Sequence, residues 1–178
     1  MYPKYEPEKW NNNIYIRKSH NCYAYALNII SNKLANICKN KLNSNKLNSN
    51  KLNSNINCPR PQPNMPLGHH DISSCKLIEI RMLKDNPKIK PISNPNLCPK
   101  NYYLIALACT KDKSDYHFYR QDENKLWSHK NGWRKATNKD KQNKLIIDPK
   151  YSDRDKFEIF CGYYMVPINS KMKLNLMK

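Results

Sequence analysis

Glycine and apolar runs are both scarce in this sequence. Three glycines occur among 178 residues, and no apolar stretch approaches the roughly 18 residues that a membrane-spanning helix needs. The first residues, Met1 to Glu6, lack the apolar core of a secretory signal peptide. The mean hydropathy is −0.92, so part of the chain cannot contribute to a buried core. These features predict a soluble protein with one folded domain.

Acidic residues are also few, since 14 Asp and Glu stand against 32 Lys and Arg, giving a formal net charge of +18. Such a charge attracts polyanions, among them nucleic acids, acidic membrane surfaces and anionic cell-wall polymers. Lysine and asparagine dominate the polar residues, a bias typical of AT-rich genomes such as those of some large DNA viruses. Part of the basicity is then compositional, and no obligate nucleic-acid partner is predicted.

Cysteine occurs seven times, with irregular spacing and without any Cys-x-x-Cys motif. In the absence of a signal peptide, reduced thiols in a cytosol-like compartment are the expected state, although export by another route would permit several disulfides. We therefore expect an intracellular protein, located in the host cytoplasm or the virion if the source is a virus.

One group of residues has the side chains of a zinc site, namely His69, His70 and Asp71 with Cys58 or Cys75. Imidazole and thiolate are both good zinc ligands. The group lacks paired ligand spacing, however, and two adjacent histidines usually point apart. We predict no metal and no other cofactor.

A perfect repeat, Lys-Leu-Asn-Ser-Asn three times over, occupies residues 41–55. Its five-residue period matches neither the 3.6 of a helix nor the 2 of a strand. Asn and Ser compete for backbone hydrogen bonds, and one leucine in five residues cannot form a core. The repeat predicts a disordered insertion at about 40–57 with solvated lysines; a polybasic contact arm is the alternative.

The remaining pattern predicts an α+β domain over residues 21–168, preceded by an irregular arm (1–20) and followed by a basic tail (169–178). A short strand is expected near 14–16 in the arm. Apolar spacing predicts a helix from Asn21 to about 35–39 and a second helix over 71–84, separated by an extended proline-rich loop at 58–68. Apolar runs and polar turns predict an antiparallel meander with strands at 103–109, 116–121 and 126–130, and a last strand within 157–166.

Cys22 lies at the predicted start of the first helix, where Asn21 is a good N-cap residue. A thiol in this position faces unpaired backbone N–H groups and the positive end of the helix dipole, both of which lower its pKa. Arg17 and Lys18 are close, and no acidic residue occurs between positions 8 and 71. Cys22 is therefore a candidate nucleophile, although packing in the core is the ordinary role of a free cysteine.

Two histidines lie on neighbouring strands of the predicted meander. In a hairpin that turns near residues 122–125, His117 and His129 fall at roughly opposed positions, and the period of 2 places Tyr119 on the same face as His117. Thiol hydrolysis needs a nucleophile, an imidazole that carries the proton and a third group that orients the imidazole. The sequence contains candidates for all three roles in that order.

The order of these residues resembles that of papain-like thiol hydrolases of the NlpC and CHAP type. The resemblance rests on the segments 21–27, 115–122 and 126–130 and spans roughly residues 15–166. It implies an α+β, papain-like core with the nucleophile helix packed on the sheet meander. It also implies Cys22 as the nucleophile, His117 as the general base and acid, and His129 as the orienting residue.

Two parts of this implied site stay open. Gln121, Ser128 and Asn131 are alternatives to His129 as the orienting residue. In the oxyanion hole, the backbone N–H of Cys22 is the natural first donor, and Tyr15 or Asn21 could supply the second.

We therefore predict a cysteine-dependent hydrolase of amide bonds, either a peptidase or a cell-wall amidase, with a peptide or peptidoglycan-like substrate. The basic surface could direct it to an anionic polymer or a membrane surface. The alternative is a catalytically inactive basic binding protein, associated with a virion or a nucleic acid, which the charge and the basic, aromatic second half would suit. The oligomeric state stays open.

Overall fold

The fold is α+β, with a six-stranded antiparallel sheet and several helices. The structure is a computed structural model that describes residues 2–47, 58–65 and 74–176. The helices are α1 (Pro7–Asn11), α2 (Ile14–Ser19), α3 (Cys22–Ala26), α4 (Asn32–Leu47) and α5 (Cys75–Asp85). The strands are β1 (Lys90–Ile92), β2 (Tyr102–Cys109), β3 (Tyr116–Gln121), β4 (Trp127–Lys130), β5 (Ala136–Thr137) and β6 (Ile159–Pro167). None of the helices in the described ranges could span a membrane.

The strand order is β1-β6-β2-β3-β4-β5, and every neighbouring pair is antiparallel. Strands β2, β3 and β4 are consecutive neighbours, so the predicted meander is confirmed. The last strand, β6, crosses back to pair with β2, because the apolar run of β2 is buried and needs partners on both edges.

Alternation along the strands divides the core into two layers. One layer, here called the helix face, contains Leu107 and Phe118 and packs against α3. The other, here called the loop face, contains Ala106 and Tyr119 and is covered by Phe157 from the segment before β6. Because successive side chains of a strand point to opposite faces, neighbouring residues of β3 belong to different layers.

The N-terminal segment differs from the prediction. Residues 14–16 start helix α2 rather than a strand, because the Asn13 side chain accepts hydrogen bonds from the backbone N–H groups of Tyr15 and Ile16. Helix α3 ends at Ala26, and Asn28 has φ of +55°, which breaks the predicted long helix before α4 begins. The arm is thus helical, and the single helix expected from Asn21 is two separate helices.

The repeat continues helix α4 as far as Leu47, so the prediction of disorder is wrong for its first part. Leu34 and Cys38 are buried and anchor the first turns of α4 in the protein interior. Because this part of the helix is already formed, adding further residues to it costs little free energy. Residues 48–57 lie outside the described ranges, as do residues 66–73. The second predicted helix is α5, whose N-cap is Ser74.

The C-terminal segment is tied to the core by Asn86. Its side-chain amide donates to the carbonyl of Lys173 and accepts from the backbone N–H of the same residue. Met172 and Leu174 also pack against the helix face. The predicted basic tail is therefore docked over its described part.

Two disulfides join distant segments, Cys38 to Cys58 and Cys75 to Cys161. They correct the expectation of reduced thiols for these four residues. The three other cysteines are free.

Candidate functional site

A cleft of about 460 Å³ opens where α3 meets β3, and the two principal candidates both contribute to its wall. Cys22 is the first residue of α3, and His117 is the second residue of β3. Asn21 and Asn131 also line the cleft, whereas Tyr15 does not. Helix α3 takes this place because its apolar side packs against the helix face of the sheet.

Cys22 has the predicted cap but not the predicted charge. The Asn21 side chain accepts from the backbone N–H of Ala24, as an N-cap residue should. The thiol is 5% exposed, and burial raises its pKa to about 12, outweighing the lowering by the backbone N–H of Phe118. Helix α3 has five residues, so its dipole is weak. The expectation of a low-pKa thiolate is therefore wrong.

His117 and His129 are directly hydrogen-bonded, with 2.7 Å between His117 Nε2 and His129 Nδ1. The other nitrogen of His129, Nε2, lies 3.1 Å from the backbone oxygen of Lys139. A carbonyl only accepts, so we assign the proton of neutral His129 to Nε2 and leave Nδ1 as an acceptor. His117 Nε2–H is then the donor of the bond between the rings.

Both imidazoles are held neutral near pH 7. Burial lowers the pKa of His117 well below its usual value, and His129 and Lys156 lower it further. Burial also lowers the pKa of His129, although the carbonyl of Lys139 and the charge of Asp140 oppose this. Neither ring therefore supplies an imidazolium to stabilise a thiolate.

Cys22 and His117 reach the same cleft from opposite faces of β3. Cys22 belongs to the helix-face cluster with Phe118. The His117 ring lies on the loop face, where it stacks on Phe157 with 4.8 Å between ring centroids. Among the described residues, no hydrogen bond joins the thiol of Cys22 to His117. The residue directly opposite His129 in the ladder is Tyr119, so the two histidines form a diagonal pair.

Two of the three alternative orienting residues form hydrogen bonds with groups other than His117. Gln121 donates from Nε2 to the carbonyl of Lys125 in the hairpin turn. Ser128 points to the helix face, where it donates to Asp122 at 2.5 Å. Asn131 lines the cleft. Of the two candidates for the second oxyanion donor, Asn21 already donates its amide to the carbonyl of Pro61 at 2.7 Å.

The sequence pattern did not predict the buried ionic network around Arg120. Arg120 is completely buried and pairs with Asp122, at 2.7 Å from Nη2 to Oδ1. It also donates to Asn28 and to the carbonyls of Lys4 and Tyr25. One guanidinium thus holds together the N-terminal arm, α3 and β3.

Lys130 has a comparable role at the end of β4. Its side chain is fully buried, which lowers its pKa to about 7, and Nζ donates to the carbonyls of Arg17, His20 and Gly132, at 2.5 to 2.7 Å. For Arg120 the signal was present in the sequence, because the period of 2 places it on the same face as Phe118. The partners of the two cations could not be identified from that period.

Two groups of residues have side chains that could bind a metal. The group at His69, His70 and Asp71 lies outside the described residues. Within the described part of the chain, the sulfurs of Cys75, Cys109 and Cys161 lie within 4.8 Å of one another, and two of them form a disulfide.

Comparison with known proteins gave one informative result. No known protein-family profile matches the chain, and no solved structure matches it. Its sequence is 31% identical over 160 residues to "Insoluble matrix shell protein 1" of Ruditapes philippinarum, covering 90% of this chain and 87% of that protein.

This similarity corrects the functional prediction. The relative is a shell matrix protein, and the prediction of a cysteine-dependent peptidase or amidase is therefore wrong. Virion or nucleic-acid association gains no support from it either. The buried, protonated thiol agrees with the correction.

Proposed function

The chain belongs to the same family as the insoluble matrix shell protein 1 of Ruditapes philippinarum, and from this premise we propose that it is a structural component of an insoluble matrix. The similarity over nearly the whole chain carries the proposal. Because it covers 90% of the chain, the folded unit as a whole takes the structural role.

The interior suits a durable scaffold. Arg120 and Lys130 donate to carbonyl groups of the arm and of the first helices, so breaking either contact leaves a buried polar group without its partners. The disulfide between Cys75 and Cys161 joins α5 to β6. Because disulfides persist in oxidising surroundings, the same proposal places the protein outside a reducing cytosol.

The surface suits an anionic partner. The formal net charge is +18, because Lys and Arg outnumber Asp and Glu by 32 to 14. Lys141 and Asp155 form an exposed ion pair at 3.3 Å, with side chains 58% and 49% exposed. An ion pair this exposed to solvent contributes little to the stability of the fold. We propose an anionic matrix polymer, carboxylated or sulfated, as the partner that holds the protein in the matrix.

We also propose that the core keeps a papain-like arrangement and uses it as a scaffold. Support comes from α3, which begins at Cys22 and packs its apolar side against an antiparallel sheet. An experimental structure compared with NlpC-type domains tests this point. A different placement of α3 relative to β3 in that structure would contradict it.

Binding to an immobilised acidic polysaccharide tests the structural proposal. The full chain with intact disulfides should sediment with alginate or chondroitin sulfate beads and stay in solution with beads of neutral dextran. Between about 0.1 M and 1 M salt the Debye length falls from about 10 Å to about 3 Å, so binding should weaken strongly over this range.

The variant Cys22→Ser is the matched control for this experiment. It should bind as the natural chain does, because a buried thiol takes no part in surface charge pairing. Equal retention on dextran and on the acidic polymers would contradict the proposed partner. Loss of retention in Cys22→Ser with an unchanged circular dichroism spectrum would contradict the structural role.

A further inference from the structure

Three cysteines meet where β6 passes β2. Cys109 is free and 2% exposed, and its sulfur lies 3.5 Å from that of Cys161, which is bonded to Cys75. This distance is a van der Waals contact between sulfur atoms. A free thiol therefore lies directly against an existing disulfide.

A bulge in β6 creates this contact. Leu107 pairs with Gly162, whereas Ala108 pairs with Phe160, so Cys161 has no partner in the register. The extra residue turns its side chain to the helix face, where Cys109 also points. Gly162 has φ of +148°, a conformation that glycine adopts readily. The backbone is thus arranged so that two sulfurs share one face.

We propose that Cys109 exchanges with this disulfide and that Cys75, once released, is the site of covalent cross-linking to a second copy of the chain. In the exchange, Cys109 loses its proton to solvent and its thiolate attacks the sulfur of Cys161. A bond forms between Cys109 and Cys161, and the bond between Cys161 and Cys75 breaks. Cys75 leaves with the electron pair as a thiolate, and no oxidant is consumed.

Cys75 is suited to the role of leaving group. It is the first residue of α5, an 11-residue helix capped by Ser74, and it is partly exposed. The positive end of a helix stabilises a thiolate, and a thiol of lower pKa leaves faster. Burial and the charge of Asp115 raise the pKa of Cys109 to about 11, so exchange should be slow and the original disulfide persists in the fresh protein.

Cross-linking follows by the same chemistry. The thiolate of Cys75 attacks the Cys75 sulfur of a second copy, forming a disulfide between the two chains and releasing Cys161 of that copy as a thiolate. The number of disulfides is unchanged, so the link again needs no oxidant. A second copy is the fitting partner because every copy presents the same partly exposed disulfide. This inference rests on the proposed matrix role, to which it adds a covalent cause of insolubility.

Incubation of the full oxidised chain without reductant tests the exchange. Samples are quenched with acid, labelled with N-ethylmaleimide and examined by non-reducing electrophoresis and peptide mass spectrometry. We expect growing amounts of a peptide pair joined through Cys109 and Cys161, alkylated Cys75, and dimers joined through Cys75. In Cys109→Ser, release of Cys75 and dimer formation should be slower by about tenfold or more.

The variant Cys98→Ser is the matched control, since Cys98 is a free, partly exposed thiol outside the cluster, and it should behave as the natural chain does. Absence of the pair between Cys109 and Cys161 in the natural chain overturns the inference whether or not Cys109→Ser folds. So do dimers joined through Cys98. If the exchange fails but acidic beads still retain the protein, only the exchange is wrong; lost retention contradicts the proposed function itself.

Discussion

At the scale of single residues, burial decides the chemistry. Cys22 has the N-cap and the helix position that should favour a thiolate, yet desolvation raises its pKa to about 12. The same effect lowers the pKa values of His20 and His117. Position along the sequence indicates which groups could influence a side chain, but the extent of desolvation depends on what packs over it.

The substitution Arg120→Met should destabilise the protein by about 3–5 kcal/mol, because it leaves Asp122 buried without its partner. Urea unfolding at pH 7 measures the free energy. The control is Lys141→Met, which removes an exposed ion pair and should change stability by less than about 1 kcal/mol. Similar losses for the two variants would contradict a structural role for the buried pair.

Acid should destabilise the fold through His20. Burial lowers its pKa from 6.5 to about 4, while its ring accepts from the backbone N–H of Ser31 and donates to the carbonyl of Ile16. Between these pH values the unfolded chain binds the proton and the folded chain does not, so stability falls as the pH falls. The cost at pH 4 is about 3 kcal/mol for this one group.

The variant His20→Gln isolates this contribution. Glutamine offers a hydrogen-bond donor and an acceptor but takes up no proton in this pH range. The variant should therefore lose less stability between pH 7 and pH 4 than the natural chain does, by about 3 kcal/mol. Denaturant unfolding at the two pH values gives the comparison. Parallel curves would show that His20 titrates normally.

At the scale of elements, side-chain caps decided what hydrophobic spacing could not. Residues 14–16 have the composition of a strand, but Asn13 caps them as a helix. Helix α4 extends into the repeat because its first turns are anchored in the core. The strands of the meander were predicted well, since buried apolar runs and polar turns are both local features of the sequence.

The disulfide between Cys38 and Cys58 should stabilise the region around α4. Its residues are 20 positions apart, and the chain-entropy estimate for a loop of this size is about 3 kcal/mol. The double variant Cys38→Ala/Cys58→Ala should lose about that amount in thermal or urea unfolding, by the same estimate. Cys98→Ala should unfold like the natural chain, and an equal loss there would argue against a specific role for the disulfide.

At the scale of the whole molecule, the two proposals combine charge with covalent links. A formal charge of +18 repels separate copies and, in the proposed function, attracts them to anionic polymers. Disulfide exchange would then cross-link the copies that electrostatic attraction has concentrated on the polymer. The first effect depends on the total composition, whereas the second depends on three sulfurs brought together by the sheet.

Acetylation of exposed lysines should abolish retention on acidic beads without unfolding the protein. Each acetyl group removes one positive charge, while fully buried Lys130 should escape the reagent. Sedimentation gives the binding, circular dichroism gives the fold, and mass spectrometry gives the sites. Retention that survives extensive acetylation would show that contacts other than charge hold the polymer.

The sequence by itself determined the strong positive charge, the apolar strands and the cap at Asn21, because each depends on composition or on neighbours within a few residues. Tertiary structure alone decided which groups would share a face. It placed Cys22 and His117 on opposite sides of β3, buried Arg120 against the arm, and brought Cys109 to Cys161 through a bulge. Burial sets the pKa values of Cys22 and His117, and contacts between distant segments set the bonds of Arg120 and Cys161. Burial and such contacts both depend on packing between segments that are far apart in the chain.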